Sequence, residues 1–462
     1  MRNYEKYTFY KEVWNKSFPS NWELLPLYAL GKVKSITEQT DLQLLSVYLD
    51  AGVIPFASKA EKRTNVTSKD LSKYQRVDPG DFVLNNQQAW RGSVGVSFDT
   101  GIVSPAYIVL EMNDKLDPRF ANYLFRARIM VDQYLINSKS VGSIQRNIYW
   151  PALKRTRVPV PSHSEQEQII RYLDWKISGI NGLINLKKKE IENLKELRNS
   201  AIDDGILHGF HTGDMKDSDI YWLGDIPSTW EVMPIKRVAK INASVADIVK
   251  VLDDEELLTF LPMENVSERG EIDCSIKRPL KEIKSGYSSF AKSDVVVAKI
   301  TPCFENGKGA CLDTLDTEIG FGTTEFINLR PGDEILSRYL YMITMTQHFR
   351  KLGERVMTGS AGQKRISANY IKNFTLGIPA IKEQEEILKK LDSTLSKIDE
   401  LIEIKKSEIS GLHELKNRLI SDVVTGNIDV RDIEIPEYEF TDESADSDLR
   451  DVDFDVDEEQ ED

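Results

Sequence analysis

The chain has 462 residues, 40% of them apolar, which is enough for two or three domains with real cores, and its formal net charge is −14. No apolar run approaches the roughly 20 residues of a membrane span, and the N-terminal Met1-Arg-Asn-Tyr-Glu-Lys-Tyr7 lacks the apolar stretch of a signal peptide, so a cytoplasmic protein without membrane contact is expected. Three cysteines, Cys274, Cys303 and Cys311, are too few and too badly spaced for a disulfide framework or a closed zinc site and read as reduced thiols.

In chain order, Phe18-Pro-Ser-Asn-Trp22-Glu23 precedes a stretch of mixed α and β character, with strand-like runs at 94–98 and 106–110 and a helical pattern over 118–134 (Phe120, Tyr123, Leu124, Ala127, Val131). Just before those strands stand Asn85, Asn86, Gln87, Gln88, Trp90, Arg91 and Ser93. Amides of this kind bond bidentately to adenine edges, an arginine suits guanine, and the ring can stack. The same residues fit a loop whose asparagines make turns and whose tryptophan is core, and both readings stand. The stretch ends in a polar and basic turn, Gln145-Arg146.

A long helix follows. Pro161-Ser162 stops the preceding strand, and Glu165-Gln166-Glu167 puts negative charge in a first turn, where the helix dipole favours it. From there Ile170, Leu173, Ile177, Ile180, Ile184, Ile191 and Leu194 recur at three- and four-residue steps, a heptad seam about forty residues long, roughly 60 Å at 1.5 Å per residue. Lys187 interrupts the seam and is expected to snorkel out of it; fixing the register is the alternative. Gly179 and Gly182 predict bending or close packing, at about 1 kcal/mol each relative to alanine.

The chain then repeats itself. Ile226-Pro-Ser-Thr-Trp230-Glu231 echoes the opening, strand-like runs lie at 294–300 and 325–329, and a helix is predicted over 338–352. Here Lys299, Asn306, Lys308, Thr323 and Thr324 occupy the zone of the first module's candidates, and Gln363-Lys364-Arg365 supplies the basic turn. Residues 145–204 fall on 363–422 by one constant shift of 218 without a gap. Thus Glu383-Gln384-Glu385 answers Glu165-Gln166-Glu167 after Pro379, Lys405 answers Lys187, and a second seam runs through Leu388, Leu391, Leu395, Ile398, Ile402, Ile409 and Leu412. The repeated Gln-basic element is the better candidate for phosphate contact, because positioning contacts can be common to both halves whereas base contacts cannot.

Two divergent modules on one repeated frame point to recognition of something bipartite and asymmetric. The compact connection runs the second helix back along the first, so an α+β protein is expected: two mixed α/β modules joined by two long helices in an antiparallel coiled coil, with a module at each end. Such a frame has an approximate twofold axis, the symmetry that duplex DNA offers a dimer. The acidic balance is no objection. From Ile433 onward the chain is dense in Asp and Glu with Arg450 as the only base, so this tail holds essentially the whole excess and is expected to be disordered.

No Asn-Pro-Pro-Tyr or Asp-Pro-Pro-Tyr element for adenine methylation and no Gly-x-x-x-x-Gly-Lys-Ser/Thr loop is present; His208 and His211 stand in a Gly-containing linker without a third ligand, and Glu282-Ile-Lys284 lacks an upstream acid. A chain without catalytic residues, metal or cofactor of its own is expected. Together with Gly101-Ile-Val-Ser-Pro-Ala-Tyr-Ile-Val-Leu110, Lys299-Ile-Thr-Pro-Cys-Phe-Glu-Asn-Gly-Lys308, Gly322-Thr-Thr-Glu-Phe326 and the two Glu-Gln-Glu helices, the repeat resembles the specificity (S) subunits of type I restriction-modification systems over nearly the whole chain up to about residue 430.

That resemblance implies a target recognition domain at 1–162, a central helical region at 163–210, a second target recognition domain at 211–380 and a distal helical region at 381–430, before the tail at 431–462. It further implies that each domain reads half of a split site in double-stranded DNA. The helical regions, through Leu173, Ile177, Ile180, Ile184, Ile191 and Leu194 with Leu391, Leu395, Ile398, Ile402, Ile409 and Leu412, would hold two methyltransferase subunits and, through them, restriction subunits. S-adenosylmethionine, ATP and magnesium would belong to those partners. The acidic tail departs from the family pattern. Two other classes remain, a stand-alone coiled-coil DNA-binding regulator, which would bind its site alone, and a nuclease with an unrecognised site, which would cut with a divalent metal and no partner.

Overall fold

In each module the strand that begins at the glutamate of the repeated Trp-Glu pairs with the last strand before the long helix. In the computed structural model, which describes residues 3–11, 14, 16–49, 51–59, 70–141, 145–210, 213–360 and 362–443, the chain divides into two units, 1–188 with 406–462, and 189–405. In the first unit β1 (Glu23–Pro26) pairs antiparallel with β8 (Arg157–Val160), immediately before helix α3 (His163–His208). Between them lies a four-stranded antiparallel sheet in the order β2 (Gly31–Lys34), β5 (Tyr107–Met112), β3 (Phe82–Asn85), β4 (Val94–Val96), followed along the chain by helices α1 (Pro118–Arg126) and α2 (Arg128–Ile136) and a hairpin of β6 (Ser138–Val141) and β7 (Gln145–Ile148). Phe82, Leu84, Val94, Leu110, Phe120, Leu124 and Phe125 fill its core.

The second unit repeats this plan with different residues. β9 (Glu231–Pro234) pairs with β18 (Thr375–Ile378) just before helix α6 (Ile381–Val424), and the central sheet runs β10 (Ala239–Ile241), β17 (Phe326–Pro331), β14 (Val295–Ala298), β15 (Gly309–Cys311). It adds a second four-stranded sheet, β12 (Lys277–Pro279), β11 (Leu257–Leu261), β16 (Ile319–Gly322), β13 (Ser288–Ala291), in which β11 and β16 are parallel. Helices α4 (Ser337–Met345) and α5 (Gln347–Val356) follow. The single helices expected over 118–134 and 338–352 are therefore each two. Ala127 and Thr346 adopt extended backbone (ψ 145° and 141°), and the Thr346 side chain accepts from Phe349 N to cap the next helix. Apolar spacing continues across such a one-residue break, so periodicity does not reveal it.

The helix starts explain the repeated Glu-Gln-Glu. Gln166 is fully buried; its Oε1 accepts from Asp117 N (2.7 Å) and its Nε2 donates to the Lys115 and Pro161 carbonyls (both 2.9 Å). Gln384 does the same with Leu336 N and the Glu334 and Pro379 carbonyls, each at 2.9 Å. One residue earlier, Glu165 accepts from Trp22 Nε1 (2.9 Å) and Tyr4 Oη (2.6 Å), and Glu383 accepts from Trp230 Nε1 (2.8 Å). The two sequence echoes thus meet in space within each unit.

Within each unit, part of α3 runs antiparallel to part of α6. Lys187 reaches Glu408 (2.9 Å) and Lys416 reaches Asn181 (2.9 Å) in the first; Lys405 reaches Glu190 (3.0 Å) and Arg198 reaches Asp399 (3.3 Å) in the second. Lys187 and Lys405 do not merely snorkel: each pairs with the partner helix, and the two ion pairs are the same pair under the 218-residue shift. Gly179 and Gly182 have nothing within 4 Å of an added Cβ, so the expected close packing is not there. The seam residues Leu173, Ile177, Ile180, Ile184, Ile191, Leu391, Ile398, Ile402 and Ile409 are buried, with Leu194, Leu395 and Leu412 half-buried. Leu173, Ile177 and Leu391 belong to the units' cores, and burial leaves the seam little exposed surface of its own. No helix among the described residues is long and apolar enough to cross a membrane.

The tail also departs from expectation. Residues 431–443 do not leave the fold: Ile433 and Ile435 pack on the first unit's core, and α3 side chains bond the backbone carbonyls of 430, 433, 439, 441 and 442. An extended segment held through its backbone needs no core of its own, which composition does not register. Residues 444–462 lie outside the described residues.

Replacing Gln166 by alanine strands one buried N–H and two carbonyls, and should lower the stability of the first unit by about 2–3 kcal/mol; Gln384→Ala should do the same to the second. Urea denaturation followed by tryptophan fluorescence measures this, and unchanged midpoints would contradict the assigned role.

Candidate nucleic-acid interface

In the first module the hairpin β6–β7 and the loop after β3 are tied together by Asn86, whose backbone carbonyl and Oδ1 both accept from Ile148 N at 3.1 Å. Asn85 Oδ1 accepts from Gln87 N, closing a turn. Ser93 is buried with its hydroxyl on the Val47 carbonyl, and Trp90 Nε1 donates to the Gln87 carbonyl. These side chains build the loop. Gln87, Gln88 and Arg91 are exposed, with the Arg91 guanidinium over the Trp90 ring at 4.8 Å. On the hairpin, Arg146 Nε donates to Ser138 Oγ (3.0 Å) next to Lys139, whose ammonium lies 3.6 Å from the centre of the Tyr149 ring. The side chain of Gln145 lies outside the described residues. Lys139 and Tyr149 join the exposed polar and basic set through the hairpin pairing, which leaves no contiguous signal in the sequence.

In the second module, three backbone bonds draw separate segments together: Lys299 N to Glu325 O, Ile366 N to Lys299 O, and Thr301 N to Lys364 O, at 2.8, 2.8 and 3.0 Å. The result is a cleft of about 560 Å³ lined by Asn242, Ser244, Ser289, Lys299, Thr324 and Arg365. Asn328 also borders it, and its buried Oδ1 has no partner among the described residues while its Nδ2 donates to Ser289 O (2.8 Å). Three of the predicted residues, Lys299, Thr324 and Arg365, therefore share one site. Thr323 caps the turn by accepting from Glu325 N, Gln363 and Lys364 are exposed beside Arg365, and Asn306 and Lys308 sit on the adjoining 301–308 turn, where Asn306 Nδ2 donates to Glu268 (2.7 Å). Asn242 and Ser244 lie in the loop after β10, Ser289 on β13 and Asn328 on β17, and together they carry no contiguous signal. At the sheet position of Asn328 the first module has Val109, buried in an apolar cluster. The two surfaces are chemically different on one sheet plan.

Arg365 lays its fork on Glu325 (2.9 and 3.0 Å) and holds that carboxyl below the usual range. The pair fixes a guanidinium at the cleft mouth in a defined orientation, beside Lys299.

A family described as Type I restriction modification DNA specificity domain matches residues 19–193 and 227–411. The Escherichia coli Type I restriction enzyme EcoAI specificity subunit is 37% identical over 199 residues, 42% of this chain and 33% of that protein; the corresponding EcoEI subunit is 34% identical over 200 residues, again 33% of its length. The chain thus spans about a third of these two relatives. The Methanocaldococcus jannaschii MjaVIII specificity subunit aligns over 94% of this chain and 99% of its own length at 24% identity. A solved chain from a study of complex assembly and conformational transition of the type I R-M system covers 89% of this chain and 100% of itself at TM-score 0.59 and 14% identity, a likeness of fold.

Because the Glu325 carboxyl is depressed by Arg365, the pair contributes stability above the ordinary glutamate range and loses it as pH falls through the depressed value. In Arg365→Gln the Glu325 titration should move up toward the ordinary value. Carboxyl NMR titration checks this, and an unmoved titration would refute the cause assigned.

Proposed function

The chain belongs to the type I restriction-modification DNA specificity family, and on that premise we propose that it is the sequence-specific DNA-binding subunit of a type I complex, recognising an asymmetric bipartite site in duplex DNA. The first module reads one half through the loop at 87–91 and the paired strands β6 and β7, the second reads the other through the cleft around Lys299 and Arg365. The observation that carries this reading is the same frame built twice, with an equivalent Gln bracket and an equivalent Lys–Glu pair, around two unlike polar surfaces. The two long helices act as an antiparallel coiled coil that sets the spacing between half-sites.

The helices also hold the partners. Leu183, Leu186 and Leu197 of α3 are exposed, and so are Leu401, Ile404 and Leu415 of α6, the same three positions shifted by 218. Within each unit one pair, Leu183 with Leu186 and Leu401 with Ile404, is spaced by three and falls on one helix face. Two equivalent exposed apolar stripes fit two copies of one partner, the methyltransferase subunit, with restriction subunits joining through it. Adenine methylation with S-adenosylmethionine, and ATP- and magnesium-dependent cleavage, are then the work of those partners.

Purified alone, the chain should neither methylate nor cut duplex DNA supplied with S-adenosylmethionine, ATP and magnesium. Co-expressed with its methyltransferase it should direct adenine methylation to one bipartite sequence, and the double variant Leu401→Gln with Ile404→Gln should lose one of two methyltransferase copies in native mass spectrometry while the helix content stays unchanged. Modification by the chain alone, or two copies still bound to the variant, would count against the reading.

A further inference from the structure

The strap formed by residues 439–443 is held almost entirely by donors. Ser178 Oγ, Asn181 Nδ2 and Asn185 Nδ2 of α3 donate to the carbonyls of Glu439 (3.0 Å), Thr441 (3.1 Å) and Asp442 (2.8 Å). The Glu443 carboxylate then sits among Lys188 (3.4 Å), Lys416 (3.3 Å) and His413 (3.4 Å). Ser178 Oγ also accepts, from Thr441 N at 2.8 Å. A surface that presents a row of N–H and O–H groups ending in cations is complementary to a chain of acceptors ending in an anion. A peptide backbone with a terminal carboxylate is one such chain. The phosphodiester backbone of DNA, which has acceptors and charge but no donor, is another.

The internal repeat provides the comparison that gives this meaning. At the positions equivalent to Asn181, Asn185 and Lys416 the other copy has Asp399, Glu403 and Arg198, and Asp399 itself pairs with Arg198 at 3.3 Å. The second unit neutralises this cation from its own helix. In the first unit amides replace the acids, Lys416 bonds Asn181 Oδ1 (2.9 Å), and the missing negative charge arrives from the strap as Glu443. Burial raises the Glu443 carboxyl, but the surrounding His413, Lys416 and Lys188 outweigh burial and hold it below the usual carboxylate range. Ser178 and Asn181 are almost fully buried under the strap, as polar groups are only when bonded.

We propose that Ser178, Asn181, Asn185, Lys188, His413 and Lys416 form a contact surface for the DNA sugar-phosphate backbone, and that residues 439–443 cover it as a built-in mimic. From Ser178 to Lys188 the helix advances about 15 Å, a length over which one DNA strand carries about four phosphates at one per 3.4 Å. The surface exists in the first copy only, since acids at the second copy's positions would repel phosphate. While the strap is seated, DNA away from the target site gains nothing from this surface. A bound duplex that displaces the strap gains two or three cationic contacts.

The inference rests on the DNA reading above, and three chains test it on a short random-sequence duplex, by fluorescence anisotropy over a series of salt concentrations: the full chain, one ending at Glu443, and one ending at Pro436, which keeps the core contacts of Ile433 and Ile435. The chain ending at Pro436 should bind about tenfold more tightly than the one ending at Glu443, with a log–log salt slope steeper by about 2, since each phosphate neutralised contributes about 0.9. Adding Asn181→Asp and Asn185→Glu, the acids of the other copy, should return affinity and slope to those of the Glu443-ended chain. Glu443→Gln in the full chain, which loosens the anchor without shortening anything, should steepen the slope in the same direction. Equal slopes for the two shortened chains, a gain that survives the acidic pair, or no change on Glu443→Gln in a folded full chain each overturns the proposal. Site-specific methylation by the full chain with its methyltransferase is followed alongside: its absence overturns the DNA reading itself, whereas its presence with unchanged salt slopes overturns the strap alone.

Discussion

A buried glutamine at the start of each long helix is the constraint on which the rest depends. Gln166 and Gln384 each satisfy one backbone N–H and two carbonyls, one of them from the residue two before the helix begins. Three directed bonds made by a side chain with no exposed surface leave the module one orientation on its helix, because any other would bury unpaired polar groups at about 1–3 kcal/mol each. Glu165 and Glu383 add the tryptophan that opens each module, and Asp174 and Asp392 add Arg119 and Arg338. With the attachment fixed twice in the same way, the surfaces of the modules are free to diverge.

That separation of frame from surface is visible in what could be read from the chain beforehand. The repeat, the two seams and the order of strands and helices were legible because they rest on periodicity and identity at a constant offset, both local properties. The charge of Glu165-Gln166-Glu167 near a helix dipole is a local property of the sequence; that its middle residue is a buried bracket depends on Lys115, Asp117 and Pro161 reaching it from outside the helix. The single-residue breaks at Ala127 and Thr346 and the docking of 431–443 were not legible, for the first leaves the apolar spacing intact and the second depends on backbone acceptors that composition does not count.

The candidate site was legible in part. Lys299, Thr324 and Arg365 share a cleft, whereas Asn85, Asn86 and Ser93, of the same residue types, bond Gln87 N, Ile148 N and the Val47 carbonyl within the fold. Residue type cannot distinguish an asparagine that makes a turn from one that reaches outward. The seam residues met the same limit: apolar spacing located the helices, but the side that faces away from the seam is marked only by exposure, at Leu183, Leu186 and Leu197 and their repeats.

The central claim is that one frame carries two independent readers. It is tested most directly by exchanging residues 215–380 for the equivalent module of a related subunit and sequencing the methylated adenines of cells that carry the hybrid with its methyltransferase. The account predicts that one half of the recognised sequence changes while the other half and the spacing are kept. A hybrid that altered both halves, or left both unchanged, would contradict it.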